Sequence, residues 1–280
     1  FFYIFTTFKN KNFSNLLLIF IITFHLVAIL LSGNKMPMIL FVFGCVLIMF
    51  LIKNLRFVMS LSLLIFLSIF FLLVNNDKYY KASFSRFFDQ IDITKLIKIN
   101  EDISTKQDTK KAELNEIHES EIPKELILFR LSGHNRIFQT AFEMWKEQPL
   151  FGFGLKSFRI KCWEVGAKNI HLQPKSGISI FACSNHPHNY YLEFLSESGI
   201  IGISLMLIFF LILLKNSFHY LKKYNERINS EIILLIPIIV VVIIEIWPIR
   251  STGSFFTTGN ATFFFLNAGI LLAPKKYKSL

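Results

Sequence analysis

Six nearly unbroken apolar stretches mark the chain, and one long polar stretch divides them three and three. Asn15–Leu31, Pro37–Ile52 and Leu55–Val74 come before it; Ile200–Leu214, Ile232–Trp247 and Ala261–Ala273 come after. A bilayer core demands about 20 apolar residues of helix, so each stretch is expected to be a membrane helix. Pro37–Ile52 is slightly short. Ala261–Ala273 reaches spanning length only with residues from Ser254 onward, and Ile200–Leu214 is extended at its N-terminal end by the turn at Glu193. The expected fold is an all-α integral membrane protein, with about six spans and one large loop.

That loop, Asn75–Tyr190, holds 116 residues in two parts. Asn75 to Lys124 is rich in Lys, Asp, Glu and Asn with weak patterning, and reads as a solvated, partly mobile insertion. From Leu126 the pattern tightens. Ile137, Phe138, Ala141, Phe142, Met144 and Trp145 recur at helical spacing. Gln148-Pro149-Leu150-Phe151-Gly152-Phe153-Gly154 ends that helix in a turn. Two glycines are too few to cradle a phosphate, so this turn reads as structural. The division expected is residues 1–74 as N-terminal membrane helices, 75–190 as the loop and 191–280 as C-terminal membrane helices.

Composition agrees with a membrane protein: 53% of the 280 residues are hydrophobic and 33 are Phe. The chain opens at Phe1 inside an apolar stretch, which reads as a protein lacking its natural N-terminus. Charge then orients the helices. With the large loop outside, the cytoplasmic segments carry eleven basic residues, and the short outer loops carry only Lys35 and Arg250. Basic residues near span ends favour the cytoplasm, so the large loop is expected to lie on the outer side. Within it, 17 basic residues meet 14 acidic ones. The net charge of +11 therefore reflects topology, and nucleic acid is not an expected partner. The outer side of a membrane is oxidising, which makes Cys162 and Cys183 a candidate disulfide closing the loop between Phe158 and the histidines.

The chemistry concentrates in Ser184-Asn185-His186-Pro187-His188-Asn189-Tyr190-Tyr191-Leu192-Glu193, running on to Glu197, Gly199 and Gly202. Pro187 disfavours helix at His186, so a helix is expected to begin near His188 or Asn189 and run into the membrane. Glu193 and Glu197 then share one face, and His188 sits at the helix start, where bilayer meets water. The residue types leave three classes open. One is an enzyme using histidine near its ordinary pKa. Another is a transporter with the histidines in its path, which predicts ionisable residues within several helices; only His25 and Glu245 qualify. The third is a metal enzyme using His186, His188 and a carboxylate.

Four pieces, in order, resemble the O-antigen ligase and polymerase family of bacterial membrane glycosyltransferases. They are Leu31-Ser32-Gly33-Asn34-Lys35; Ser132-Gly133-His134-Asn135-Arg136 leading to Pro149, Gly152 and Gly154; His186-Pro187-His188-Asn189 with Leu192, Glu193, Glu197, Gly199 and Gly202; and Gly253-Ser254-Phe255-Phe256. The His188–Gly199 spacing matches the signature of the family's ligases. Two positions depart from the family. Lys35 stands where members often have Arg, and His134 falls in the register of another Arg, leaving Arg136 or Arg130 to replace it.

The resemblance implies a GT-C-like bundle in the bacterial inner membrane, with its active site facing the periplasm. It implies a donor glycan on undecaprenyl pyrophosphate and a sugar-hydroxyl acceptor on lipid A–core or another glycan, among membrane lipids, with no cofactor and no metal. By position His188 is the catalytic base, with Glu193 or Glu197 orienting it or sharing the work. Lys35, Arg130, His134, Arg136, Arg159, His186, Asn189 and Arg250 are the candidate substrate-binding set, the cations facing the pyrophosphate leaving group.

Overall fold

The computed structural model describes residues 10–91, 134–169, 172, 183–226, 230–250 and 253–273. All regular structure among these residues is helical. Two compact units emerge. One comprises Phe1–Lys78, Leu205–Arg250 and Thr257–Leu280; the other comprises Tyr79–Ser204 and Ser251–Phe256.

The first unit is the apolar one. Helix α1, Lys11–Leu31, starts four residues ahead of its apolar run. Asn10 caps it: its Oδ1 accepts the Phe13 N–H at 3.1 Å, which draws the polar first turn into the helix. Ser14, Leu18, Ile22, Leu26 and Leu30 are buried at every fourth position, the ridge by which one helix packs on another. Phe13, Leu16, Phe20 and Phe24 lie exposed on other faces. A helix apolar all round belongs in a protein core or in lipid, and these exposed side chains mark lipid. Helix α2 is Lys35–Leu51 and helix α3 is Arg56–Asn76, preceded by a short 3-10 turn at Lys53–Leu55. α1 packs on α3, and α2 touches both.

Of the remaining helices in this unit, α8 is Ser230–Glu245 and α9 is Thr258–Leu272, and they pack together. α8 also meets α2, and just past the end of α8 the Trp247 ring lies 4.9 Å from that of Phe43. Three segments are long and apolar enough to cross a membrane: Lys11–Leu31, Lys53–Asn76 and Tyr190–Lys222. Lys35–Leu51, Leu235–Glu245 and Thr258–Leu272 are apolar but shorter. At about 1.5 Å per residue, even the 17 residues of α2 fall a little short of a bilayer core about 30 Å thick.

The second unit holds the candidate site. Helix α4, Lys78–Ile91, was not expected: its aromatics are interleaved with Lys and Ser, so no apolar run announces it. The rest of the Asn75–Lys124 insertion, from residue 92, lies outside the described residues, as does Arg130. Helix α5, Asn135–Glu147, is the amphipathic helix of the pattern. It buries Phe138, Ala141 and Met144 against Phe158, Cys162 and Val165 of helix α6, Phe158–Lys168, together with Cys183 and Leu192. Helix α7, Tyr190–Glu226, supplies Leu192 and is non-helical at one residue, Gly199, with φ 65° and ψ −165°.

Candidate functional site

The site forms where the chain enters α7. Asn189 is the N-cap: its Oδ1 accepts the N–H groups of Tyr191 at 3.0 Å and Leu192 at 3.2 Å. Such a cap is worth about 1 kcal/mol, and it fixes the helix start one residue beyond His188. His188 has φ 58°, in the left-handed region that residues with a Cβ avoid. That conformation costs about 1–3 kcal/mol and persists only where surrounding contacts impose it. Its Nε2 lies 3.1 Å from Ser184 Oγ. The His134 ring stacks on the His188 ring at 4.3 Å with 20° between planes, and the His186 ring lies 4.2 Å away on a tilt.

Three imidazoles are thus gathered from two segments. Burial lowers the pKa of His134, and the charge of His186 lowers it further. His134 is therefore held neutral at pH values where an ordinary histidine begins to charge. Among the described residues, no group of three or more His, Cys, Asp or Glu side chains is arranged to hold a metal ion.

Below the histidines, two buried carboxylates brace the unit. Glu193 accepts the hydroxyl of Ser254 on Oε1 and the N–H of Phe255 on Oε2 at 2.7 Å. The Phe255 ring packs edge-on against Tyr190 and Phe194, 5.1 Å from each. Glu197, one turn on, accepts the N–H of Lys156 at 2.5 Å and of Phe158 at 3.1 Å. All four carboxylate oxygens are engaged by loops distant in sequence, so the shared face expected for these residues is a clamp.

The turn after α5 completes the clamp. Phe153 and Gly154 N–H groups donate to the carbonyls of Ser196 and Glu197, and the N–H groups of Ile200 and Ile201 donate to the carbonyls of Pro149 and Leu150. The turn thus caps both sides of the break at Gly199, satisfying backbone groups that a helix end leaves open. A Cβ on Gly152 would strike the Glu197 backbone, and one on Gly199 would strike the Leu150 carbonyl; both glycines have positive φ. The structural reading of this turn holds, and its purpose is to lock α5 and α6 to α7.

A family model described as O-antigen ligase matches residues 17–207, more than half of the chain. The chain belongs to the O-antigen ligase family. No curated protein and no solved structure matches it. Membership implies a membrane enzyme of glycosyltransferase type, with O-antigen ligase-like glycan transfer. The matched residues take in His134, His186, His188, Glu193, Glu197 and Gly199 but end before Ser254 and Arg250.

The remaining members of the expected set are distributed as follows. Arg136 is half-buried in the first turn of α5, two residues after His134, and Arg159 is exposed at the start of α6. Lys35 opens α2, in the other unit. Arg250, also in that unit, pairs with Glu245 at 3.0 Å and donates to the Ile244 carbonyl, so Glu245 is the partner of a cation. Cys162 and Cys183 are bonded as a disulfide, with Cα atoms 5.4 Å apart, inside the α5–α6 core. Two contributors had no assigned role in the sequence: Ser184, against His188, and Ser254, against Glu193. Ser184 stands at the head of the polar stretch that carries the histidines, and Ser254 lies within the last of the family's pieces; only that placement pointed toward them.

Proposed function

We propose that this O-antigen ligase family protein transfers a glycan from an undecaprenyl-pyrophosphate carrier to a sugar hydroxyl of lipid A–core, at the periplasmic face of the bacterial inner membrane. His188 is the general base. The observation that carries this reading is the histidine cluster at the head of α7: His188 held in a left-handed conformation, bonded to Ser184 and stacked on a His134 kept from charging. A bond forms between the acceptor oxygen and the anomeric carbon, and the carbon–phosphate oxygen bond breaks. The acceptor proton goes to the His188 ring. When Nε2 carries its hydrogen and donates to Ser184, the accepting lone pair is on Nδ1. The carrier pyrophosphate leaves with the electron pair, and Arg136 and Arg159, in the same unit as His188, balance its charge.

In this mechanism Glu193, Glu197 and Asn189 position the machinery, because their oxygens already hold the backbone that shapes it. Six spans, with α2, α8 and α9 crossing as well, place both ends of the chain and the loop before α8 in the cytoplasm, in keeping with the charge asymmetry. A glycan chain offers the same hydroxyl nucleophile, so polymerisation of repeat units is the second reading; loss of the gene would then leave a single-unit lipopolysaccharide band, where a ligase defect leaves bare core.

The test is transfer from a purified lipid-pyrophosphate glycan in nanodiscs. His188→Ala should lose about 10²–10⁴-fold in rate while inserting normally. His186→Ala, which removes the turn residue before Pro187, should lose less. Near-normal turnover by His188→Ala would reject the assignment, and loss of wild-type activity to a chelator would favour a metal enzyme.

A further inference from the structure

Residues 75–190 were expected to form a large, partly helical loop outside the membrane, yet large apolar side chains are exposed from the turn through α6. Phe151 is 72% exposed, Leu155 64%, Ile160 63%, Leu150 58% and Trp163 57%. A water-facing domain scatters such residues singly; five within 14 consecutive positions call for a partner surface.

α6 is apolar on two sides. Phe158, Cys162 and Val165, at i, i+4 and i+7, enter the core. Ile160, Trp163 and Ala167, at i, i+3 and i+7, fall on the opposite side and are exposed. Arg159, Lys161, Glu164 and Lys168 occupy the flanks. Lys161 bonds Glu164 at 2.8 Å and Lys168 bonds Glu147 at 3.3 Å, so the flanks are predominantly basic and partly neutralised. An apolar face carrying Trp and Ile between basic flanks is the pattern of a helix lying in a bilayer interface.

The turn fixes the level at which this face sits. Leu150 and Phe151 follow Pro149, whose carbonyl caps Ile200. Ile200 is the first residue of α7 beyond the break, and exposed apolar residues follow it at Ile201, Leu205, Leu207 and Ile208. The last buried carboxylate, Glu197, lies just before the break. The backbone bonds therefore place Leu150 and Phe151 where α7 changes from polar to apolar, which is where a spanning helix meets the headgroups.

We propose that the turn at Leu150–Leu155 and the Ile160–Trp163 face of α6 lie in the headgroup–acyl boundary of the leaflet that α7 enters, with phospholipid as their occupant. The inference rests on α7 crossing the membrane and is independent of the reaction. Interfacial helices settle about 5–10 Å into that boundary. Aromatic residues at this level anchor, and the flanking cations favour anionic headgroups.

Full-length protein in nanodiscs of phosphatidylglycerol and phosphatidylcholine tests this. The emission lost between wild type and Trp163→Phe isolates Trp163 and leaves Trp145, which bonds the Pro149 carbonyl, in place. The expected result is that lipids brominated high on the acyl chain quench this component and that iodide in water does not. Phe151→Trp in the Trp163→Phe background should behave alike. Quenching by iodide with no effect of brominated lipid overturns the proposal. Resistance to both quenchers also overturns it, because the face is then covered by protein, another part of this chain or a second copy. Glycan transfer by Trp163→Phe, measured in the same nanodiscs, should stay normal, so failure of the lipid contact is distinguishable from failure of the catalytic reading.

Discussion

Replacing Glu197 tests whether the second unit is held together as described. Its carboxylate is buried and accepts two backbone N–H groups, from Lys156 at 2.5 Å and Phe158 at 3.1 Å. Glu197→Ala strands both donors. A buried donor left unpaired costs about 1–3 kcal/mol, so the sum is about 2–6 kcal/mol. Part returns if Lys156, held at φ 60°, relaxes from the left-handed region, a gain of about 1–2 kcal/mol. Taking the middle of each range, the net loss expected is about 2.5 kcal/mol. Glu197→Gln keeps one acceptor oxygen and turns an NH₂ toward the other N–H, so it should lie between wild type and Ala. Thermal unfolding in detergent, followed by the reactivity of Cys162 and Cys183 after mild reduction, reads the second unit. If Glu197→Ala changes stability by less than about 0.5 kcal/mol, as a surface substitution would, the clamp does not exist. Glu197→Ala should also lose transfer activity, and Glu197→Gln should recover part of it.

Three further outcomes follow from the same geometry. The Cys162–Cys183 bond closes a loop with a sequence separation of 21, worth about 3 kcal/mol by chain entropy; non-reducing peptide mapping should recover the linked pair, and finding both thiols alkylatable would remove it. His134 has a pKa below the usual histidine value of about 6.5 because of burial and the charge of His186. The unfolded chain then binds a proton more readily, so stability is present above about pH 6.5 and is lost as pH falls toward the lower folded value. Unfolding midpoints across that range should decline less in His134→Gln, and equal slopes would refute the linkage. A phosphatase fused near Lys110 should be active and a cytoplasmic reporter there silent, with the reverse pattern sinking the periplasmic orientation.

The two units differ in how much the sequence discloses, and the reason is physical. A helix in lipid is apolar on every face, so composition alone marks α1 and α3, and the errors lie at the ends, where Asn10 and Asn189 extend or begin helices through single hydrogen bonds. α4 stayed hidden because its aromatics sit among Lys and Ser. In the polar loop, α5 was legible because one face packs on a core and the other on water. The outer face of α6 obeys no such rule: Ile160 and Trp163 oppose the core, and the pattern there is neither that of a span nor that of a soluble helix.

The site divides along another line. The place of His186 and His188 at the head of α7 was legible because it follows from local sequence, a proline-broken helix start. Glu193 and Glu197 were visible as a pair on one face but not as acceptors, because their partners lie elsewhere in the chain. Ser254 is 61 residues from Glu193, and Lys156 is 41 from Glu197. Side-chain type says that a buried carboxylate needs donors; it does not say whether a substrate or the backbone supplies them. Here Ser254 and three backbone N–H groups supply them. The proposed role of His188 as general base rests on its place at the mouth of α7. It also explains why the residues around it are so heavily braced. A base in a left-handed conformation keeps its geometry only if both the helix it opens and the loop it faces are fixed. The Asn189 cap, the two carboxylates and the turn at Gly152 fix them.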